Sequence, residues 1–237
     1  MLEGKRVVIV GGSSGIGLAV ARASLDTGGD VAIGGRSQKR LDAAGAELGT
    51  DRFRAHRIDV TDEASIDAFF ASVGTCDHLV VTAATSATGP FHELPLARAQ
   101  ATMEAKFWGA YRVARSADVI DRGSITFVSG ILSRRPRAGA AALSAVNAAL
   151  EALGRALAIE LAPVRVNTVA PGLIEGTEAY ADLDASARAA MFTNAASKLP
   201  AGRVGRPQDI AAAILTVMTN PYVTGAVIDV DGGALLA

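Results

Sequence analysis

The chain has 237 residues, 50% of them hydrophobic, long enough to bury one sizeable core. Lysine and arginine number 23 against 24 aspartates and glutamates, a net charge of -1 that asks for neither a nucleic-acid nor an anionic-membrane partner. A single cysteine, Cys76, excludes an intramolecular disulfide, and the charges in MLEGKRVVIVGG fit neither a signal peptide nor a membrane span, so a soluble, cytoplasmic protein is expected.

In chain order, the first expected strand is RVVIV at residues 6–10, followed by the turn GGSSGIG and a helix over 15–27. A pyrophosphate needs bare backbone close by and amide N–H groups aimed at it. Gly11, Gly15 and Gly17 allow the close approach, and the helix N-terminus adds a favourable dipole. Ser13 and Ser14 can add hydroxyl donors, and Ile16 completes the turn. The plainer alternative is a flexible strand–helix loop, but the strand before and the helix after both favour a dinucleotide cradle.

A second strand, DVAIG at 30–34, leads into GRS and a helix over 38–48. A carboxylate at the end of this strand would bond the adenine ribose hydroxyls and select NAD. None is present. Arg36 can grip a 2′-phosphate with two prongs and Ser37 stands beside it, so the cofactor expected is NADP(H); Arg36 as a solvated loop charge is the bland alternative. RFRAHRI at 52–58 alternates and reads as an outer strand, and Thr61 and Asp62 supply capping chemistry for a helix over 62–73. Cys76 then precedes the apolar strand at 78–82 and reads as a buried structural thiol.

A long helix is expected over 96–120, then a strand at 124–129, a helix over 143–161, strands at 164–169 and 226–230, and between those two a helix over 207–219. Runs apolar on both faces suit a parallel sheet covered on each side. Regular strand–helix alternation predicts a single α/β domain over 1–237, a doubly wound Rossmann-type sheet with helices on both faces. Residues 175–206 are small and polar, and break the rhythm; they read as a flap with short helical pieces over a site. No His/Cys/carboxylate spacing suggests a metal.

These segments together resemble the short-chain dehydrogenase/reductase family along essentially the whole chain. The resemblance rests on GGSSGIG, on DHLVVTAA in place of the family's Asn-Asn-Ala-Gly turn, on VRVNTVAPG, on GRVGRPQDIAAAILTVMTN and on YVTGAVIDVDGG. It implies a seven-stranded parallel sheet with NAD(P) bound across the strand ends. It also implies adenine contacts from Asp59 and Val60, a cofactor wall at Ala83 and Ala84, and carboxamide contacts from Pro171, Gly172 and Ile174. Thr177 joins these contacts if LIEGT carries one extra residue; Asp59 as a plain cap is the weaker alternative.

The family's working group is an Asn, a Ser, a Tyr and a Lys, and this sequence departs from it at all four places. The Asn place holds Lys106, the Ser place Gly130 with Ser129 one residue earlier, the Tyr place Leu143 and the Lys place Asn147. Asparagine has become lysine, and lysine asparagine. Either the two have exchanged, keeping one ammonium and one amide in the same pocket from opposite helices, or they have drifted independently in an inactive protein.

With the tyrosine gone, candidate proton donors are Lys106, Ser129, Ser133, Ser144 and Tyr180 of the flap; Tyr180 also reads as packing, and Trp108 and Tyr111 read so too. His56 and His78 look structural, and His92 is an outside candidate. The expected function is NADP(H)-dependent reduction of a small carbonyl or imine at a rebuilt site, with Lys106, Asn147 and Ser129 as its working residues. The rival readings are an NADP-binding scaffold and a non-redox isomerase or lyase. The resemblance further implies a homotetramer, or failing that a homodimer, through the helices at 96–120 and 143–161, where Gly109, Ala148, Ala152 and Ala156 permit close approach.

Overall fold

The computed structural model describes residues 1–83, 85–177 and 183–237, so the expectations for Ala84 and Tyr180 lie outside the described residues. Seven parallel strands form one sheet: β1 (Arg6–Val10), β2 (Asp30–Gly35), β3 (Phe53–Arg57), β4 (Cys76–Val81), β5 (Val119–Val128), β6 (Arg165–Pro171) and β7 (Val227–Val230), in the spatial order β3-β2-β1-β4-β5-β6-β7. The alternating segment at 52–58 is the edge strand β3, as its pattern predicts.

The two faces of β1 show why the apolar runs are continuous. Val7 and Ile9 join one core with α1 (Gly15–Asp26), α2 (Gln38–Leu48) and α8 (Pro207–Thr219). Val8 and Val10 join the other with α3 (Glu63–Val73), α5 (Gly109–Ser116) and α6 (Ala141–Glu160). A strand with solvent on one side would show polar residues at alternate positions; here successive side chains enter opposite cores, so all four are apolar and inaccessible. Full burial of an aliphatic side chain contributes about 1.5–3 kcal/mol, so each of these four residues helps to anchor the strand under the site.

Two expectations change. The long helix predicted over 96–120 is α4 (Leu96–Met103), a π turn (Glu104–Trp108) and α5, ending at Ser116. Residues 119–123 instead begin β5, whose pairing with β4 shifts register between Cys76 and His78. The register shift coincides with local backbone features: Arg122 has a positive φ of 63°, and an alanine Cβ at Gly123 would lie 2.4 Å from the Asp77 carbonyl oxygen. Among the described residues of the flap, one regular helix stands, α7 (Ala185–Ala196), capped by Asp184 accepting from the Ala187 N–H and burying none of its residues. The flap's two ends are joined by a bridge between Ile174 and Gly205 and by an ion pair from Arg206 to Glu175.

A nucleotide groove and the lysine at its inner end

The strand order reverses between β1 and β4, and a groove of about 720 Å³ opens over the carboxyl ends of the strands there. Its floor is the glycine turn: Gly11, Ser13, Ser14, Gly15, Ile16 and Gly17 all line it. The glycines are required by sterics. Gly11 has φ +95°, and a Cβ there would lie 2.5 Å from the Ala83 nitrogen; at Gly17 a Cβ would lie 2.2 Å from the Gly11 carbonyl oxygen. Helix α1 starts with no acidic residue in its first turn, and the Ser14 hydroxyl is not spent on capping. Its N-terminal amides therefore face the groove with no competing carboxylate, a fit for a pyrophosphate.

At the outer end, Arg36 and Ser37 line the groove after β2, with Arg40 in the first turn of α2. Val60, Thr61 and Ala83 also line it, and Thr177 lies over the turn with its methyl 3.6 Å from where a Gly15 Cβ would sit. Other expected contacts fall away from the lining. Asp59 accepts from the backbone (3.0 Å) and hydroxyl (2.7 Å) of Thr61, which hold its carboxyl below the ordinary value with help from Arg36. One of its oxygens, Oδ1, is thus held by its own turn, while Asp62 caps α3 by accepting from the Ala64 N–H. Ile174 is buried in the core beside Gly205, Gly172 packs on Asp231, and Pro171 ends β6; like Lys106 and Asn147, none of the three is in the lining of the groove itself.

The inner end of the groove reaches Ala105 and Val128, the chain neighbours of Lys106 and Ser129. Lys106 rides on the π turn, where one extra residue in the helix changes which side chain faces inward; such turns recur at functional sites. Its ammonium donates to Asn147 Oδ1 at 2.6 Å and to the Ser129 carbonyl at 2.8 Å, and the side chain is buried. The two exchanged residues are therefore direct partners. Gly130 completes the exchange: a Cβ there would come within 2.9 Å of Asn147 Nδ2, so the absence of a side chain at the Ser place leaves room for the amide. Burial pushes the Lys106 amine down from 10.5 to about 8, with Glu151 pulling the other way.

The Ser129 expectation needs correcting. Its hydroxyl donates to Glu151 Oε1 at 3.0 Å, so what it offers the lysine is its carbonyl, and its proton is committed elsewhere. Ser133 is committed in the same way, donating to Glu151 at 2.7 Å. The Ser144 hydroxyl is buried without a partner, and His92 is exposed beside Phe91. Gly109 lies inside the protomer, where a Cβ would meet Val60 at 2.7 Å, whereas Ala148, Ala152 and Ala156 form an exposed stripe along α6. Glu151 and Arg40 escaped the sequence reading. Glu151 lies four residues, one helical turn, beyond Asn147, and that spacing was the available signal; Arg40 lies in the first turn of α2, four residues beyond Arg36 in the loop before it.

Among known proteins, the family model described as enoyl-(acyl carrier protein) reductase matches residues 10–234. The chain is 32% identical over 251 residues to the short-chain dehydrogenase/reductase ATR9 of Stachybotrys chlorohalonatus (strain IBT 40285), covering 99% of this chain and 98% of the relative. Among solved structures it is similar to a small-chain dehydrogenase in complex with NADPH, at 38% identity and a TM-score of 0.82, covering 98% of this chain and 99% of the other. It is also similar to an NADPH-bound short chain oxidoreductase from Pseudomonas aeruginosa PAO1 containing an atypical catalytic center, at 30% identity and a TM-score of 0.90, over 98% and 97% of the two chains.

Proposed function

Because the chain belongs to the short-chain dehydrogenase/reductase family, we propose that it is an NADP(H)-dependent oxidoreductase reducing a small, mostly apolar carbonyl or imine at a centre rebuilt around Lys106. The observation that carries the reading is the buried 2.6 Å bond between Lys106 and Asn147, with Ala105, the residue before Lys106, lining the inner end of the groove. Drift in an inactive protein gives no reason for a buried ammonium to be retained and matched with an amide and a carbonyl, since burying it costs free energy.

In this reading the glycine turn and the start of α1 hold the pyrophosphate, and Arg36 with Arg40 takes the 2′-phosphate. When bound, NADPH supplies the hydride and leaves as NADP⁺. An ammonium carries three N–H donors; Asn147 and Ser129 accept from two, and in this reading the third addresses the ribose or the substrate once the cofactor is bound. As the substrate carbon is reduced, Lys106 gives a proton to its oxygen or nitrogen and regains one from solvent. An amine at about 8 is close enough to neutral pH to act in both directions. Leu143, in the tyrosine's place, leaves an apolar wall. An imine suits such a site because a protonated iminium needs less acid assistance than a ketone. The NADPH-bound neighbours, one of them with an atypical catalytic center, support both halves of the reading.

The test is NADPH titration by fluorescence, then loss of nicotinamide absorbance over a panel of small carbonyls and imines. Turnover that drops about 10²–10⁴-fold in Lys106→Met is expected, the usual worth of a general acid. Absence of NADPH binding removes the cofactor reading, and binding without turnover on any substrate favours a scaffold or a non-redox enzyme.

The assembly follows from the same family. The stripe Ala148, Ala152 and Ala156, with Ile159 beyond it and Trp108 and Tyr111 on the neighbouring helix, is an exposed apolar surface suited to a homotetramer, or failing that a homodimer. Light scattering at micromolar concentration checks it, and a monomer counts against it.

A further inference from the structure

Glu151 lies one turn beyond Asn147 on α6, its side chain only 6% exposed, and nothing in the groove makes use of it. Both oxygens of its carboxylate are engaged. One oxygen accepts from Ser129 (3.0 Å) and Ser133 (2.7 Å), and the other from Arg134 Nη1 at 2.6 Å. The second guanidinium nitrogen of Arg134 bonds Asp229 on β7. Lys106 and Glu151 hold the same residue from two sides, Ser129 by its carbonyl and by its hydroxyl. The result is a row of alternating charge, Lys106, Glu151, Arg134 and Asp229, running from the interior to side chains that are 33% and 36% exposed. Burying such a row costs desolvation that well-packed apolar residues would avoid.

We propose that Glu151 is a positioning residue which, through Ser129 and with Arg134 and Asp229 behind it, fixes the charge of Lys106 and so the pH range in which the site carries an ammonium. The surroundings leave this role to Glu151. On the helix of Lys106 itself, Glu104 is paired with Arg112, which also faces Glu63 of α3. Just past the end of β5 the contact is the uncharged Ser129, from α6 the neutral Asn147 and the carboxylate of Glu151, from the turn that follows, Ser133 and Arg134, and from β7 Asp229. The effect on Lys106 stands on this geometry alone; its consequence for cofactor and turnover rests on the oxidoreductase reading.

The test is the pH titration of the Lys106 side chain by NMR of lysine-labelled, full-length protein. Lys106 is one of four lysines, and its signal is identified by its loss in Lys106→Met. In Glu151→Gln the midpoint falls by about one pH unit, the usual effect of removing a nearby opposite charge. In Arg134→Gln it rises, because Glu151 keeps its two hydroxyl donors and then acts on the amine unopposed. Damage to packing alone has no reason to move the two variants in opposite directions. A midpoint that stays put in either variant, or moves the same way in both, overturns the proposal; if Glu151→Gln does not fold, the direction of change in Arg134→Gln decides. NADPH affinity is followed in the same samples. If it ignores pH while the Lys106 midpoint still moves, the cofactor role of Lys106 falls and the Glu151 assignment stands.

Discussion

Replacing Lys106 by methionine tests the buried amine without any substrate. The amine titrates at about 8 in the fold against 10.5 for an ordinary lysine. Burial has lowered the folded value, so between these two values the unfolded chain binds more protons than the native one, and stability rises with pH across that window. At 1.36 kcal/mol per pH unit, the gain between pH 7 and pH 10 is roughly 2–3 kcal/mol; below about pH 8 it is absent, because both states are protonated. Methionine fills a similar volume and cannot titrate. It leaves Asn147 Oδ1 and the Ser129 carbonyl without their donor, which costs about 1–3 kcal/mol each at every pH. The absolute effect of the substitution thus mixes several terms, but its pH dependence belongs to the amine. Urea unfolding of both proteins at pH 7, 8, 9 and 10 gives the comparison, and subtraction removes the shared titrations of other groups. The wild type should gain roughly 2–3 kcal/mol on Lys106→Met over this range. Parallel stability curves would refute the buried, perturbed amine, and with it the exchange of roles between Lys106 and Asn147.

Arg36→Ala should weaken NADPH binding about 10–100-fold while leaving NADH binding within a factor of three, since only the 2′-phosphate loses a partner; equal losses for the two cofactors in fluorescence titrations would remove Arg36 from the phosphate site. His78, buried at the far end of the sheet with Ser124 at 2.8 Å, is pushed down by burial to about 4. Its unfolded form, at 6.5, takes up the proton first, so stability should fall as pH drops from about 6.5 to 4 by up to roughly 3 kcal/mol, and His78→Asn should flatten that slope in urea titrations. Cys76, buried with its thiol pushed up to about 12, should react with a thiol reagent only on unfolding; stoichiometric labelling of the native protein within minutes would contradict its placement.

Much of the scaffold could be read from local pattern, because local sterics and burial dictate it. Apolar runs on both faces of β1 require helices on each side, and the glycines at 11 and 17 mark where backbone must meet backbone. The exchange of Lys106 and Asn147 was visible as a pair of departures from a family pattern, yet the chain separates the two by 41 residues, and only folding put the amine 2.6 Å from the amide. The π turn that carries Lys106 had no sequence signature, since the sequence around it has the composition of an ordinary helix. The fate of Ser129 was equally hidden: a hydroxyl at a strand end can serve a ligand or a neighbour, and Glu151, 22 residues away on a helix, claimed it. Sequence by itself determined the doubly wound sheet, the glycine cradle and the missing carboxylate after β2, because these depend on the periodicity and sterics of adjacent residues. Tertiary structure decided which buried charges meet, because the cost of an ammonium in the interior is set by acceptors that the fold brings from other elements.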